Sequence, residues 1–498
     1  MSRSLGNTPK DSGFSNSYST SIVSTRSISG NSFFLNLNRE SQDYIVNYNT
    51  DTRELTYSPP GYSVVPDMLV QLGGDIDGEA AGDRSGRSVS MNAVGNRVAI
   101  GANFSGSQSG SARVYNFDTT TLPSSWVQLG GDIDGEAVGD RSGMSVSMNA
   151  AGDRVAIGAP RNDGSGVNSG STRVYQLNTA TSPPSSPPSW VQLGGDIDGE
   201  ASDDQSGTSV SLNAVGDRVA IGAPFNDGNG SNSGSVRVYA LDTSNVWVQL
   251  GGDIDGEAAG DLSGYSVSMN AAGDRVAIGA PSGSIPPGPG STRVYILNTS
   301  NAWVQLGGDI DGESADQSGV SVSLNAVGDR VAIGANDNNG NGPLSGTTRV
   351  YQLNTSNIWV QLGSNIDGEA AGDRSGTSVS MNAVGDRVAI GAIFNANDGV
   401  NSGSTRLYEI TGSNQWVQLV GDINGQAAGD QSGISVSMNA VGDRVAIGAN
   451  FNANNGVNSG STRVYLLERS RLVFGDRFIY FDVVLRKSLR EYNDFMLS

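Results

Sequence analysis

The residues of this sequence best placed to do chemistry are carboxylates, and they come in a fixed phrase. Asp-Ile-Asp-Gly-Glu occurs five times, placing Asp75, Asp77 and Glu79; Asp132, Asp134 and Glu136; Asp196, Asp198 and Glu200; Asp253, Asp255 and Glu257; and Asp309, Asp311 and Glu313. Hard oxygens at this close spacing suit Ca2+, which makes these side chains candidate calcium ligands. A second reading needs no ion: Asp caps turns, and Asp or Glu pairs with Arg. Two weakened copies carry Asn365 in one and Asn424 and Gln426 in the other.

What is missing narrows the chemistry further. The chain has neither His nor Cys, so Ser-His-Asp and Cys-His nucleophiles, His-ligated metals and disulfides are excluded. Paired carboxylates alone would serve a glycosidase or a lyase. No repeat, however, carries an acid/base set that its siblings lack, and the expectation is a protein that is not an enzyme. A net charge of −20 argues against nucleic acid and anionic membrane surfaces. No apolar run approaches a membrane span, and residues 1–30 hold no apolar signal-peptide core.

The elements that must position these carboxylates are repeats. The phrase beginning V-Q-L recurs at Val70, Val127, Val191, Val248, Val304, Val360 and Val417, about 57 residues apart, with one longer unit holding a Pro/Ser insert, Thr181–Ser189. Each unit reads as four short strands separated by Gly, Asn and Asp turns. In the fourth they are Trp247–Gly251, Tyr265–Asn270, Arg275–Ala280 and Thr292–Leu297. Four antiparallel strands repeated radially predict an all-β, seven-bladed β-propeller with four-stranded blades. The small residues of S-V-S-M-N suit the crowded axis. All six Trp (Trp126, Trp190, Trp247, Trp303, Trp359, Trp416) open the V-Q-L strand, where blades splay and bulk is needed; the first unit has Leu69 there. With S-V-S-M-N innermost, the last blade lacks an outer strand, and Met68–Leu72 is expected to supply it. Arg471–Asp476 is the rival segment for that closure.

More than half of the 50 Asp and Glu fall in the loops from G-G-D-I-D-G-E to D-R-S-G. These share a rim with the loops after G-A-P, such as Arg161–Gly170, which predicts one acidic, irregular face. Two recurrent Arg, in R-V-A-I-G (Arg97 and its six equivalents) and in R-V-Y (Arg113 and its equivalents), are expected to form ion pairs within or between blades.

The unit S-G-x-S-V-S-[ML]-N-x-x-G-D-R-V-A-I-G-A-P, as in Ser142–Pro160 and Ser206–Pro224, resembles the FG-GAP repeat of integrin α-subunit propellers and of their bacterial and viral relatives. The resemblance implies the propeller fold and a binding or adhesion role. The family's leading Phe is Ser here. Its calcium loop between the first two strands has shrunk to N-A-V-G-D-R, so the family's own calcium sites do not carry over.

The expected organisation is a Ser/Asn-rich arm with a small hairpin at 1–67, the propeller at 68–467, and an apolar then basic arm at 468–498. The hairpin segment Tyr44–Ser58 resembles N-terminal segments of structural and surface proteins of large DNA viruses of algae. The leading expectation is a non-enzymatic module outside the cell or on a virion, binding a protein or glycan on the loop-rich face. The alternative is a virion or surface-layer component that assembles by docking through its arms. A polysaccharide-active enzyme is third. No cofactor is required beyond the candidate Ca2+, and neither nucleic acid nor membrane insertion is expected.

Overall fold

A computed structural model describes residues 67–179, 188–282 and 288–468 with their side chains, and the backbone of the strands in 13–65 and 471–480. Part of the Pro/Ser insert, part of the fourth unit's loop after G-A-P and the basic cluster at Arg486, Lys487 and Arg490 lie outside the described residues. The chain divides into two compact units, Leu69–Leu467 and a second made of Met1–Met68 with Glu468–Ser498.

The larger unit is the seven-bladed propeller. Blade four shows the plan: an inner strand Ser266–Met269, a second Arg275–Ala280, a third Ser291–Leu297 and an outer Trp303–Gln305, each antiparallel to the next. The outer strand is longer than V-Q-L. After a bend at Gly307 (φ +82°), Ile310 and Asp311 return to pair with Thr292 and Ser291. The same two-residue return occurs in every blade. D-I-D is therefore partly strand, because its Ile is a core residue, 4–5% exposed at all seven positions.

The ring closes as the N-terminal reading expects. In blade seven the order runs from Ser435–Met438 through Arg444–Ala449 and Ser461–Glu468 to Met68–Gln71, with Ile76 and Asp77 on Thr462 and Ser461. Arg471–Phe474, the rival, instead pairs with Tyr62–Val65 and Arg477–Tyr480 in the smaller unit. That unit also holds a five-stranded antiparallel sheet from Gly13–Ser15 to Leu55–Ser58. Its last pair, with Ile45 opposite Ser58, is the hairpin read from the sequence.

Apolar packing lies between blades. One cluster joins Ala156, Val174 and Ile197 of blade two to Val210, Leu212, Val219, Ile221 and Trp247 of blade three, and similar clusters fill the other joints. Each Trp indole N–H donates to a Leu carbonyl of the preceding blade, from Trp126 to Leu72 at 2.8 Å through Trp416 to Leu362 at 2.7 Å. The ring meets the next residue, a Gly at positive φ, where a Cβ would collide with it (Gly194 against Trp247, Gly251 against Trp303). At the closing joint the Trp is Leu69 and the matching Gly is Val420, and the two share one cluster.

Polar side chains also stitch the ring. The second Ser of S-V-S accepts from a backbone N–H of the next blade, as Ser90 does from Met148 at 2.9 Å, so its smallness serves a bond as well as space. The inner hairpin turns are joined N–H to carbonyl in a closed circle: Ala93, Ala150, Ala214, Ala271, Ala326, Ala383, Ala440 and back to Ala93, at 3.0–3.1 Å.

Candidate functional site

Antiparallel order sends two sets of connections to one rim: the loop from each outer strand to the next inner strand, and the loop after G-A-P. The turns of the inner hairpins and the connections from third to outer strand, such as the one between Asp118 and Ser125, occupy the other rim. Among the described residues no group of three or more carboxylates is arranged to hold a metal. The predicted acidic residues are instead spread along the loops and engaged by the protein. Gln71, Gln128, Gln192, Gln249 and Gln305 donate to Asp75, Asp132, Asp196, Asp253 and Asp309 at 2.6–2.7 Å. Asp77, Asp134, Asp198, Asp255 and Asp311 are strand residues. Glu79, Glu136, Glu200, Glu257 and Glu313 face Arg113, Arg173, Arg237, Arg293 and Arg349 of the following blade at 2.9–3.6 Å.

The R-V-Y arginines thus form the inter-blade ion pairs that the sequence suggests, and several also stack over the Tyr two residues on, as Arg173 does over Tyr175 at 5.7 Å. The R-V-A-I-G arginines behave differently. Each donates to a Gly carbonyl in the next blade's inner turn, from Arg97 to Gly152 around to Arg444 to Gly95. Only Arg387, among those described, also meets a carboxylate, Glu409 at 3.1 Å. A turn carbonyl presented at strand spacing satisfies that guanidinium, and no Asp or Glu of the neighbouring turn is required.

Consecutive loops bring unlike units together. Glu79, Glu136 and Glu369 are held above the usual carboxylate range, first by partial burial and then by a facing carboxylate of the next unit, Asp132, Asp196 and Asp422. The seventh unit carries Gln426 at this position, and its amide donates to Asp75 at 2.7 Å. An uncharged amide there meets the neighbouring carboxylate without the repulsion present in the other three.

Nearer the axis, the residue x of D-x-S-G is non-glycine in left-handed conformation in all seven units: Arg84, Arg141, Gln205, Leu262, Gln317, Arg374 and Gln431, at φ +52° to +58°. The preceding Asp enforces that turn. Asp83 and Asp140, both buried, accept from the N–H groups of Ala80 and Ala137 at 2.8 and 2.9 Å. Arg84 lies between Phe104 and Phe451 at 4.2 and 4.8 Å from the ring centres; Arg141 covers Phe104 at 4.9 Å, and Arg374 covers Phe394 at 5.5 Å. Two open depressions lie on this rim, one of about 580 Å³ beside Arg84, Phe104 and Asn458, the other of about 520 Å³ beside Glu369, Phe394 and Asn401. This Arg–Phe arc escaped the sequence reading, which expected an acidic face. The signal was present: x runs Arg, Arg, Gln, Leu, Gln, Arg, Gln inside a constant D-x-S-G.

Comparison with known proteins bears on the fold. The FG-GAP repeat family profile matches residues 197–239, and no curated protein matches the chain. Among solved structures, hydrazine synthase of Kuenenia stuttgartiensis is 14% identical with a TM-score of 0.46, covering 75% of this chain and 94% of its own. A protein from Lactobacillus plantarum is 12% identical with a TM-score of 0.47, over 80% and 95%. A functionally unknown protein from Desulfotomaculum acetoxidans is 11% identical with a TM-score of 0.43, over 77% and 96%. Among the described residues no helix is long and apolar enough to cross a membrane.

Proposed function

We propose that this chain, a seven-bladed β-propeller whose residues 197–239 match the FG-GAP repeat, is a non-enzymatic binding module. Its ligand, a protein or glycan, engages the loop-rich face, in adhesion outside the cell or on a virus particle. One observation carries the reading. The Arg–Phe arc and the variable loops after G-A-P share that rim, while near the axis the opposite rim repeats nearly the same N-A-[AV]-G-[DN]-R turn and varies only in its connections from third to outer strand. Irregular loops carried on a constant scaffold are the usual form of a binding surface.

Because the chain lacks Cys, single cysteines offer clean attachment points for a bulky label. Val167, Val400 and Val457 are 61–72% exposed on the loop rim, and Val94, Val215 and Val441 are 60–64% exposed on the turn rim. Labels at the first three are expected to abolish binding to cells or arrayed glycans, and labels at the second three to leave it intact. The reverse pattern overturns the reading.

Calcium belongs to this proposal as an ion that bridges the Glu–Asp pairs of consecutive loops, a position supported by their closeness. A second reading, assembly of a particle or surface layer through the termini, is favoured by one observation: both terminal segments fall in a compact unit of their own.

A further inference from the structure

The rim opposite the loops carries an apolar feature of its own. There the inner hairpin turns close a circle, each Ala amide donating to the Ala carbonyl of the next blade. The residue after that Ala is Val94, Val215, Val327, Val384 or Val441 in blades one, three, five, six and seven, and Ala151 or Ala272 in blades two and four. The five Val are 58–64% exposed. They stand at the centre of a tight turn, where Asn, Asp and Ser are the usual residues, so local structure does not ask for Val. Each is also fixed in place, its carbonyl accepting from the Asn amide of the preceding turn at 3.1–3.4 Å. Blades five, six, seven and one are consecutive, so four of the five Val form an unbroken arc. A lone exposed Val is ordinary; a contiguous set marks a contact surface.

Charge says what this surface can meet. All seven turns end in Arg and six of them hold Asp beside it. The Asp accepts from the Asn of its own turn, as Asp386 does from Asn382 at 2.8 Å, and the Arg reaches the next turn's Gly carbonyl, as Arg387 does to Gly442 at 3.2 Å. Opposite charges therefore alternate around the circle in nearly equal number, while more than half of the 50 Asp and Glu crowd the loop rim. Two copies with a net charge of −20 each repel through their acidic surfaces. The near-balanced circle escapes that repulsion. A twofold contact sets Val against Val and lets the Asp of one copy face the Arg of the other, which is the self-complementarity an isologous interface requires.

We propose that the turn rim joins two copies of this chain face to face, with the valine circle as the contact. Leu122, Val246 and Ile358, 52–97% exposed in the connections to the outer strands, lie around it on the same rim. The loop faces of the pair then point apart, so on the loop-face reading one dimer bridges two ligand-bearing surfaces.

The test is sedimentation of the full chain between about 1 and 100 μM, where wild type is expected to pass from one chain mass to two. Val384→Asp with Val441→Asp puts two carboxylates from each copy into the contact and is expected to weaken the dimer by about a hundredfold or more. Near-ultraviolet dichroism matching wild type shows that this variant folds. Val384→Ala with Val441→Ala copies Ala151 and Ala272, so it fits the turn, and it is expected to weaken the dimer about tenfold. Val167→Asp with Val400→Asp, on the loop rim, should leave the dimer unchanged. A wild-type chain that stays single at the highest concentration, or a dimer indifferent to the turn-rim substitutions, overturns the proposal. The mass readings involve no ligand, and a label at Val94 or Val441 that parts the dimer alters no loop residue, so the dimer and the loop-face reading fail separately.

Discussion

A carboxyl with a raised pKa binds its proton more tightly in the folded chain than in the unfolded one, so it adds stability at low pH and loses it as pH rises. Glu79, Glu136 and Glu369 are in this state, first through burial and then through the facing Asp. Their contribution is complete below the ordinary value of 4.5 and disappears as pH climbs through the raised value. Glu136→Gln and Glu369→Gln, which copy Gln426, are therefore expected to make the slope of melting temperature against pH more positive between about pH 4.5 and 7. A variant slope identical to wild type would contradict the raised pKa of these carboxyls. The same variants test the bridging ion: wild type should gain melting temperature from millimolar calcium after EDTA, and the variants should gain less. At this scale the sequence was only half legible. The Arg113–Glu79 type of pair was one of two readings of D-x-D-G-E, and it is what the geometry forms. The partnership of Glu79 with Asp132 was not legible, because it joins residues of different units whose closeness depends on how loops cross the rim.

Strands and their joints carry most of what could be read in advance. Four segments per unit became four strands, and Trp took its place at the splayed edge because a bulky ring at a fixed period has one physical use there. The two-residue return of Ile and Asp was hidden by the acidic residues around Ile, which made strand look like loop. The joint also explains a paired exception, since Trp goes with a positive-φ Gly and Leu69 goes with Val420. Leu69→Trp alone is expected to cost about 1–3 kcal/mol by overpacking against Val420. Val420→Gly alone should lose packing, and the double variant should recover at least about 0.5 kcal/mol relative to the sum. Urea unfolding of the four proteins measures this coupling; strictly additive losses would mean that Trp and Gly are not matched to each other.

For the molecule as a whole, radial repetition was legible from period alone, and so was the last unit's missing outer strand; which of Met68–Leu72 and Arg471–Asp476 supplies it was settled by the pairing itself. The union of both terminal segments in one compact unit was not legible, since their pairing joins Tyr62–Val65 to Arg471–Phe474 across the entire repeat array. A chain starting at Asp67 should keep the propeller's cooperative unfolding. One starting at Glu79 loses the strand that covers Ser461–Glu468, and it should melt lower and associate through the bared edge. Calorimetry and light scattering separate these outcomes; equal melting of the two chains would contradict the closure. The closing pair has one more consequence. Leu72 donates to Val464, and Ile76 lies opposite Thr462, so the chain enters and leaves the propeller at the same end of two antiparallel neighbours. Tension applied to both ends then acts as on a zipper: bonds open singly, at low force, and the other six blades carry no load until blade seven has given way.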